Sequence, residues 1–247
     1  MGDAGAVVQN NGTMPKGNNN YGKDSTESVY KAIPSYRDSN NTICRVATGT
    51  GPLTWSHDGT PSGIWDLNGN VYEWVGGLRT VYGEIQVLVN NNAADGENPQ
   101  TAASTLWKAI SASDGSFLTP QGDGRTSGSV KASWNGSKWI LTSDAPAADT
   151  TYHGCLMESI ECDATIGDAA KLLLQSLGIF KYDSTSGAYG GDYVYFDVTQ
   201  AERAFVCGGG WVSGGVAGVF CLHGGYSRGN TSTNIGFRSA FVELPAV

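Results

Sequence analysis

Basic residues are scarce. Lys and Arg number 15 against 23 Asp and Glu, so the 247-residue chain carries a net charge of −8 and a pI near 4.8. Binding a nucleic-acid backbone needs a basic surface that displaces counterions, so nucleic acid is not an expected partner. An anionic membrane surface is disfavoured on the same ground. No apolar run approaches the roughly 20 residues of a membrane-spanning helix, and no membrane insertion is expected. No charged-then-apolar signal peptide opens the chain, and Met1-Gly2-Asp3-Ala4 reads as the edge of a longer protein. The five cysteines, Cys44, Cys155, Cys162, Cys207 and Cys221, are odd in number and scattered, which does not read as a disulfide framework. There is no C-x-x-C for a zinc ribbon. His57, His153 and His223 stand far apart, so no metalloprotease pattern exists.

Glycine is abundant, 35 residues, about twice the usual share of roughly 7%. With many Asn, Ser, Thr and Asp it predicts a loop-rich, mostly non-helical chain. At 40% hydrophobic, with 7 Trp and 11 Tyr, the chain is not disordered. Three helices are predicted: one over about 25–33 behind an Asp24/Glu27 capping box, one from Thr101 with Leu106, Ala109 and Ile110 on one face, and one over about 165–177 closed by Gly178. Val130, Ala132 and Trp134, the turn dipeptide Asn135-Gly136 and then Trp139-Ile140-Leu141 predict a hairpin. Tyr193–Phe196, Ala204–Val206 and Ala240–Val242 predict strands. The mixture lacks a β-α-β rhythm and points to α+β.

Three stretches carry candidate chemistry. Leu53–Gly59 holds Trp55, Ser56, His57 and Asp58, but without a G-x-S-x-G elbow Asp58-Gly59 reads as a turn. In Gly63–Val75 a turn at Asn68-Gly69 precedes a strand with Val71, Glu73 and Val75 on one face and Tyr72 and Trp74 on the other. Glu73, with Asn70 and a backbone carbonyl, could serve a structural Ca2+. A core carboxylate bonded to backbone amides is the preferred reading, since one acidic residue is far from a full oxygen cage, and no cofactor is expected. The third stretch runs from Gly208-Gly209-Gly210-Trp211 to Asn234-Ile235-Gly236-Phe237-Arg238. Between 212 and 234 its only charged residue is Arg228.

Together the second and third stretches resemble the formylglycine-generating-enzyme type of C-type lectin fold, in which a G-[IL]-x-D-x-x-G-N-V-x-E-W strand pairs with a terminal G-G-x-W…N-[IL]-G-F-R segment. The resemblance covers about 40–242. It implies one C-type lectin-like domain over 1–247, with an insertion at about 100–150 and Trp74 and Phe237 as buried scaffold. Oxidase members of that family carry a closely spaced Cys pair just after the G-G-x-W-like segment. Here Gly214 and Gly215 stand there, with Cys207 before and Cys221 well after, so no catalytic residue and no enzymatic activity are expected.

The stretch 211–238 also resembles the variable region of a diversity-generating retroelement target protein, where adenine-directed mutagenesis turns AAC codons into any codon ending in C. That resemblance implies a fixed framework of Trp211, Gly214, Ala217–Phe220, Leu222, Gly224, Arg228, Thr231, Thr233 and Ile235–Arg238. The variable, ligand-binding positions would be Val212, Ser213, Gly215, Val216, Cys221, His223, Gly225, Tyr226, Asn230, Ser232 and Asn234. Codons ending in C cannot encode Lys, Glu, Gln, Met or Trp. Those types make up 32 of the 247 residues but none of the 23 in 212–234, where composition alone would place about three. Tyr, Ser, Gly and Asn are the residues of adaptable binding loops. The function implied is recognition of a protein or carbohydrate on a target-cell surface, by a phage tail or surface protein or by a bacterial surface protein. A metal- and oxygen-dependent modifying enzyme of the same fold and a carbohydrate-binding lectin stay open beside it, although neither Glu-Pro-Asn nor Gln-Pro-Asp occurs.

Overall fold

The computed structural model describes residues 16–23, 32–147, 149 and 151–239. At its centre is β1 (Tyr72–Val81), joined to β2 (Glu84–Leu88) by Tyr82-Gly83. Both linking residues have positive φ, 46° and 85°, the geometry that matches the twist of a two-residue hairpin. The remaining strands are β3 (Trp107–Ile110), β4 (Phe117–Leu118), β5 (Lys131–Trp134), β6 (Trp139–Thr142), β7 (His153–Leu156), β8 (Glu161–Cys162), β9 (Tyr193–Phe196), β10 (Arg203–Cys207), β11 (Leu222–Tyr226) and β12 (Ile235–Gly236). They form one sheet in the order β7-β9-β11-β10-β1-β2-β5-β6-β8, with β12 beside β1, β3 beside β2 and β4 beside β3. The residues expected to form an insertion, about 100–150, contain β3–β6, which extend this same sheet on the β2 side. The described residues thus make a mixed, sheet-rich and loop-rich fold with a single α-helix.

That helix, α1 (Asp168–Ser176), lies inside the predicted 165–177 span. Ala170 and Leu174 are its buried stripe. Gly178 sits at φ 69°, and the Ile179 amide donates to the Leu174 carbonyl at 3.0 Å. This closes the helix with a left-handed residue and a buried Leu174/Ile179 contact. The predicted hairpin is β5–β6, with a loop of four residues instead of two, because Trp134 pairs with Trp139. Asn135 Oδ1 accepts the amides of Ser137 and Lys138 and holds that loop. The strands predicted at 193–196 and 204–206 are β9 and β10.

The helix expected from Thr101 is instead a turn followed by β3. Trp107, Ala109 and Ile110 are buried and Lys108 is less so. Register with Leu88 and Gln86 decides the conformation, which a short apolar run leaves ambiguous. The expected helix over 25–33 falls mostly outside the described residues. Its end, Ala32-Ile33, is not helical, and Pro34 bridges to Val46. The strand expected at 240–242 lies outside the described residues. The main core gathers Trp139, Phe196, Phe205, Leu141, Ile160, Leu174 and Ile179, all buried. The Phe196 ring meets Trp139 and Phe205 edge to face, at 5.2 and 5.7 Å.

Candidate ligand-binding face

The two sequence motifs meet at β1. β12 runs parallel to its start, and the Tyr72 amide donates to the Asn234 carbonyl at 2.8 Å. Glu73 is held by Arg238, whose Nη2 and Nε donate to the two carboxylate oxygens at 2.8 and 3.0 Å while Nη2 also reaches the Trp65 carbonyl at 2.9 Å. The expectation that Glu73 bonds backbone amides is corrected: a guanidinium neutralises it. Asn70, at φ 63°, turns inward. Its side chain accepts from the Val46 amide and Asn18 Nδ2 and donates to the Val46 carbonyl. Both partners of the suggested Ca2+ site are thus engaged in protein contacts. Among the described residues, no group of three or more His, Cys, Asp or Glu is placed to hold a metal ion. The Trp55–Gly59 stretch is a turn, with Asp58 Oδ1 accepting from Thr60 and Ser56, and His57 Nδ1 accepting the Ile64 amide.

The window begins at Trp211, which is buried 6.0 Å from the Tyr36 ring and donates its amide to Asn70. It crosses a single turn over Gly214–Val216 and passes over Asp192. Asp192 Oδ2 accepts the Phe220 amide at 2.8 Å, and burial pushes this carboxyl up to about 7. Then comes β11. Cross-strand partners share a face of a sheet, so Trp74, Val206, His223, Tyr195 and Gly154 form one row across β1, β10, β11, β9 and β7. The next row, Glu73, Cys207, Leu222, Val194 and Cys155, points the other way, and its members Leu222, Val194 and Cys155 enter the core.

His223 and Tyr226 are three residues apart, so an unbroken strand would put them on opposite faces. A bulge prevents this. Val206 pairs with His223 and Ala204 with Tyr226, leaving Gly224-Gly225 opposite Phe205 alone. Both rings therefore face outward, with centroids 4.7 Å apart. Tyr195 stacks on His223 at 4.5 Å and 20°. Tyr72 lies 5.9 Å from His223, Trp74 lies 6.3 Å from Tyr226, and Tyr152 lies 5.7 Å from His223. Tyr193 flanks Tyr195 at 5.6 Å. Burial drives His223 down to about 4, so it is neutral, and its Nδ1 accepts the Gly225 amide. Burial likewise pushes Tyr72 and Tyr195 up to about 12.

The eleven expected binding positions do not all reach this face. Val212 (51% exposed), Gly215, Asn230 and Ser232 are exposed, and Ser213, Val216, His223, Gly225, Tyr226 and Asn234 are half-buried. Cys221 is a correction: at 1% exposed it lies beneath the tyrosines, where burial raises its thiol to about 12. Gly225 is constrained by its neighbour, since a Cβ there would come within 2.7 Å of His223 Cε1. The framework glycines are tighter still. A Cβ on Gly218 would meet the Asp192 carboxylate at 2.1 Å, and one on Gly224 the Phe205 ring at 2.4 Å. Gly215 has nothing within 4 Å. Phe237, expected to be buried scaffold, is 79% exposed, and Trp74 is half-buried on the outer face instead of in the core. Arg228 bonds Glu202 twice, at 2.8 and 3.1 Å.

Sequence reasoning missed Tyr152, Tyr193 and Tyr195 as members of this face. The alternation in Tyr193-Val194-Tyr195-Phe196 carried the signal, with the phenols on one side and buried Val194 and Phe196 on the other. A half-open hollow of about 490 Å³, lined by Tyr82, Arg125, Pro146 and Val198 among others, includes no window residue. No known family model and no curated protein matches the sequence. No helix among the described residues is long and apolar enough to cross a membrane.

Proposed function

We propose that the chain is a non-catalytic ligand-binding protein with a C-type lectin-like fold of the formylglycine-generating-enzyme type, whose segment 211–238 is diversified by a retroelement. Its setting would be a phage tail or surface, or a bacterial cell surface, and its ligand a protein or carbohydrate on a target cell. The observation that carries this reading is the division of space in the first half of the window. There the positions assigned as fixed, Trp211, Ala217, Gly218, Leu222 and Gly224, are buried or admit no Cβ, whereas Val212 and Gly215 are exposed; beyond Tyr226 the fixed Arg228, Thr231, Thr233 and Phe237 are exposed, like Asn230 and Ser232. His223 and Tyr226 add rings to an outward face that substitution would reshape without opening the core. Binding concentrates on segments held by a rigid scaffold, and here both ends are held, by Trp211 and by the Arg238–Glu73 pair. Cys207 and Cys221 support the non-catalytic reading, because burial pushes them up to about 11 and about 12 and keeps them as protonated, weakly nucleophilic thiols.

The test is the DNA beside the gene. The reading expects a reverse transcriptase and a near-copy of the 211–238 coding segment that differs only at adenines. Intact flanking DNA with neither feature would overturn it.

A further inference from the structure

The first loop of the window is held from outside by a segment far away in sequence. Residues 17–22 run between the turn at 68–70 and the window's start at 211–214. On one side the Asn70 amide donates to the Asn18 carbonyl at 2.6 Å. On the other, the Tyr21 amide donates to the Trp211 carbonyl and the Gly214 amide to the Asn19 carbonyl, both at 2.9 Å. Asn19 Nδ2 adds a bond to the Gly214 carbonyl at 3.0 Å. The segment is tightly fitted. Asn18 is fully buried, its Nδ2 donating to the Cys44 carbonyl and to Asn70 Oδ1, and its Oδ1 accepting the Gly22 amide. A Cβ on Gly17 would come within 1.8 Å of the Asn68 carbonyl oxygen, and one on Gly69 within 2.4 Å of the Asn18 carbonyl oxygen. Tyr21 is kept at φ 51°, a left-handed conformation that a bulky residue adopts only where the surrounding contacts over-determine it.

These bonds reach the window through its main chain, so they ask nothing of the side chains at 212, 215 and 216. Ser213 adds a side-chain bond of its own, with the Tyr72 hydroxyl at 3.2 Å. A loop ordered in this way is pre-organised, and it gives up little conformational freedom on meeting a ligand, whichever side chains it carries. Resting on the ligand-binding reading above, we infer that residues 17–22 are a strap that positions the 211–217 part of the binding surface. Asn18 holds the strap to the scaffold, and Asn19 holds the window loop to the strap. Specificity is then divided between two segments: the strap fixes where the loop lies, and the side chains of the loop decide what it takes.

Hydrogen–deuterium exchange of the intact chain, read by mass spectrometry, tests this without any ligand, because it reports local opening segment by segment. The peptides of interest cover 17–23 and 211–217, and those covering β1, β2 and β10 are the internal reference. Asn19→Ala should speed exchange in 211–217 about tenfold, the size of one lost intramolecular hydrogen bond, and leave the reference strands at the parent's rate. Asn19→Asp keeps the size of the side chain but loses the donor, so it should speed exchange at least as much. Asn20→Ala, at the exposed neighbouring position, should change nothing. Gly17→Ala drives a Cβ against the turn at Asn68 and should speed exchange in 17–23 and 211–217 together. Exchange in 211–217 that both Asn19 variants leave at the parent's rate, or that rises only along with the reference strands, overturns the inference. Joint replacement of Val212, Gly215 and Val216 tells the two readings apart. Fast exchange in 211–217 caused by that replacement, with the Asn19 effect intact, would sink the diversified-window reading and leave the strap standing. Exchange unchanged both by that replacement and by the Asn19 variants would do the reverse.

Discussion

Along β9, β11, β10 and β1 the same strands present two unlike faces. On one side Val194, Phe196, Phe205 and Leu222 are sealed into the core, with Gly224 leaving room for the Phe205 ring. On the other, Tyr195, His223, Tyr226 and Trp74 lie half-buried over Val206, ring against ring. The core face is defined by volume, so it tolerates neither an added nor a removed methyl group well. The outer face is defined by planar contact between half-buried rings, so truncating one of them should cost less than truncating a core ring. A binding protein that must vary its ligand can do so on the second kind of face only.

The sharpest way to break that contrast is to truncate the core side. Phe205→Ala should cost about 3–5 kcal/mol, read as a large fall in the thermal midpoint. Tyr226→Ala, across the sheet, should cost much less, and equal losses would erase the distinction between the faces. Next come the window glycines. Gly218→Ala and Gly224→Ala force a Cβ against Asp192 and Phe205 and should each cost about 1–3 kcal/mol. Gly215→Ala should stay within about 0.5 kcal/mol. Chemical denaturation of the three variants provides the check.

Protonation gives a third test. His223 has a folded-state value near 4, below its unfolded value near 6.5. Its contribution to stability is therefore full above about pH 6.5 and is lost as pH falls toward 4. Asp192 runs the other way. Its value, raised to about 7 from 3.8, makes its contribution full below about pH 4 and lost as pH rises to 7. His223→Gln should therefore gain on the parent as pH drops from 6.5 to 4. Asp192→Asn should gain on it as pH rises over about 4–7. Melting curves across pH 4–8 that keep a constant offset would contradict both assignments. The smallest effect is expected at Phe237, 79% exposed among the described residues, where Phe237→Ala should shift the melt by no more than about 0.5 kcal/mol.

Local patterns in the sequence reveal local structure well. The apolar stripe and terminal Gly178 mark α1, the alternation around Asn135-Gly136 marks β5–β6, and the period of two in 71–75 correctly separates Glu73 from Trp74. Features set by partners distant in sequence are not legible in the same way. β3 reads as a helix until β2 fixes its register. The Tyr82-Gly83 hairpin has no Asn or Asp to announce it, and the tertiary frame holds Tyr82 at positive φ. Counting alternate positions through Gly224-Gly225 misplaces everything after the bulge, which is why the pairing of His223 with Tyr226 could not be read from spacing. Cys221 precedes β11 under a layer of phenols supplied by β1 and β9, so its burial depends on side chains well over twenty residues away.

The division of the window into fixed and replaceable positions is tested most directly by a library. Val212, Ser213, Gly215, Val216, Asn230, Ser232 and Asn234, together with His223 and Tyr226, are replaced by residues encodable with codons ending in C, and each variant is scored for melting and for ligand capture. A matched library at Trp211, Ala217, Gly218, Leu222 and Gly224 serves as the comparison. The account predicts that most members of the first library melt close to the parent while their ligand preference scatters, and that most members of the second unfold. Widespread unfolding in the first library, or retention of the parent's ligand throughout it, would contradict the account.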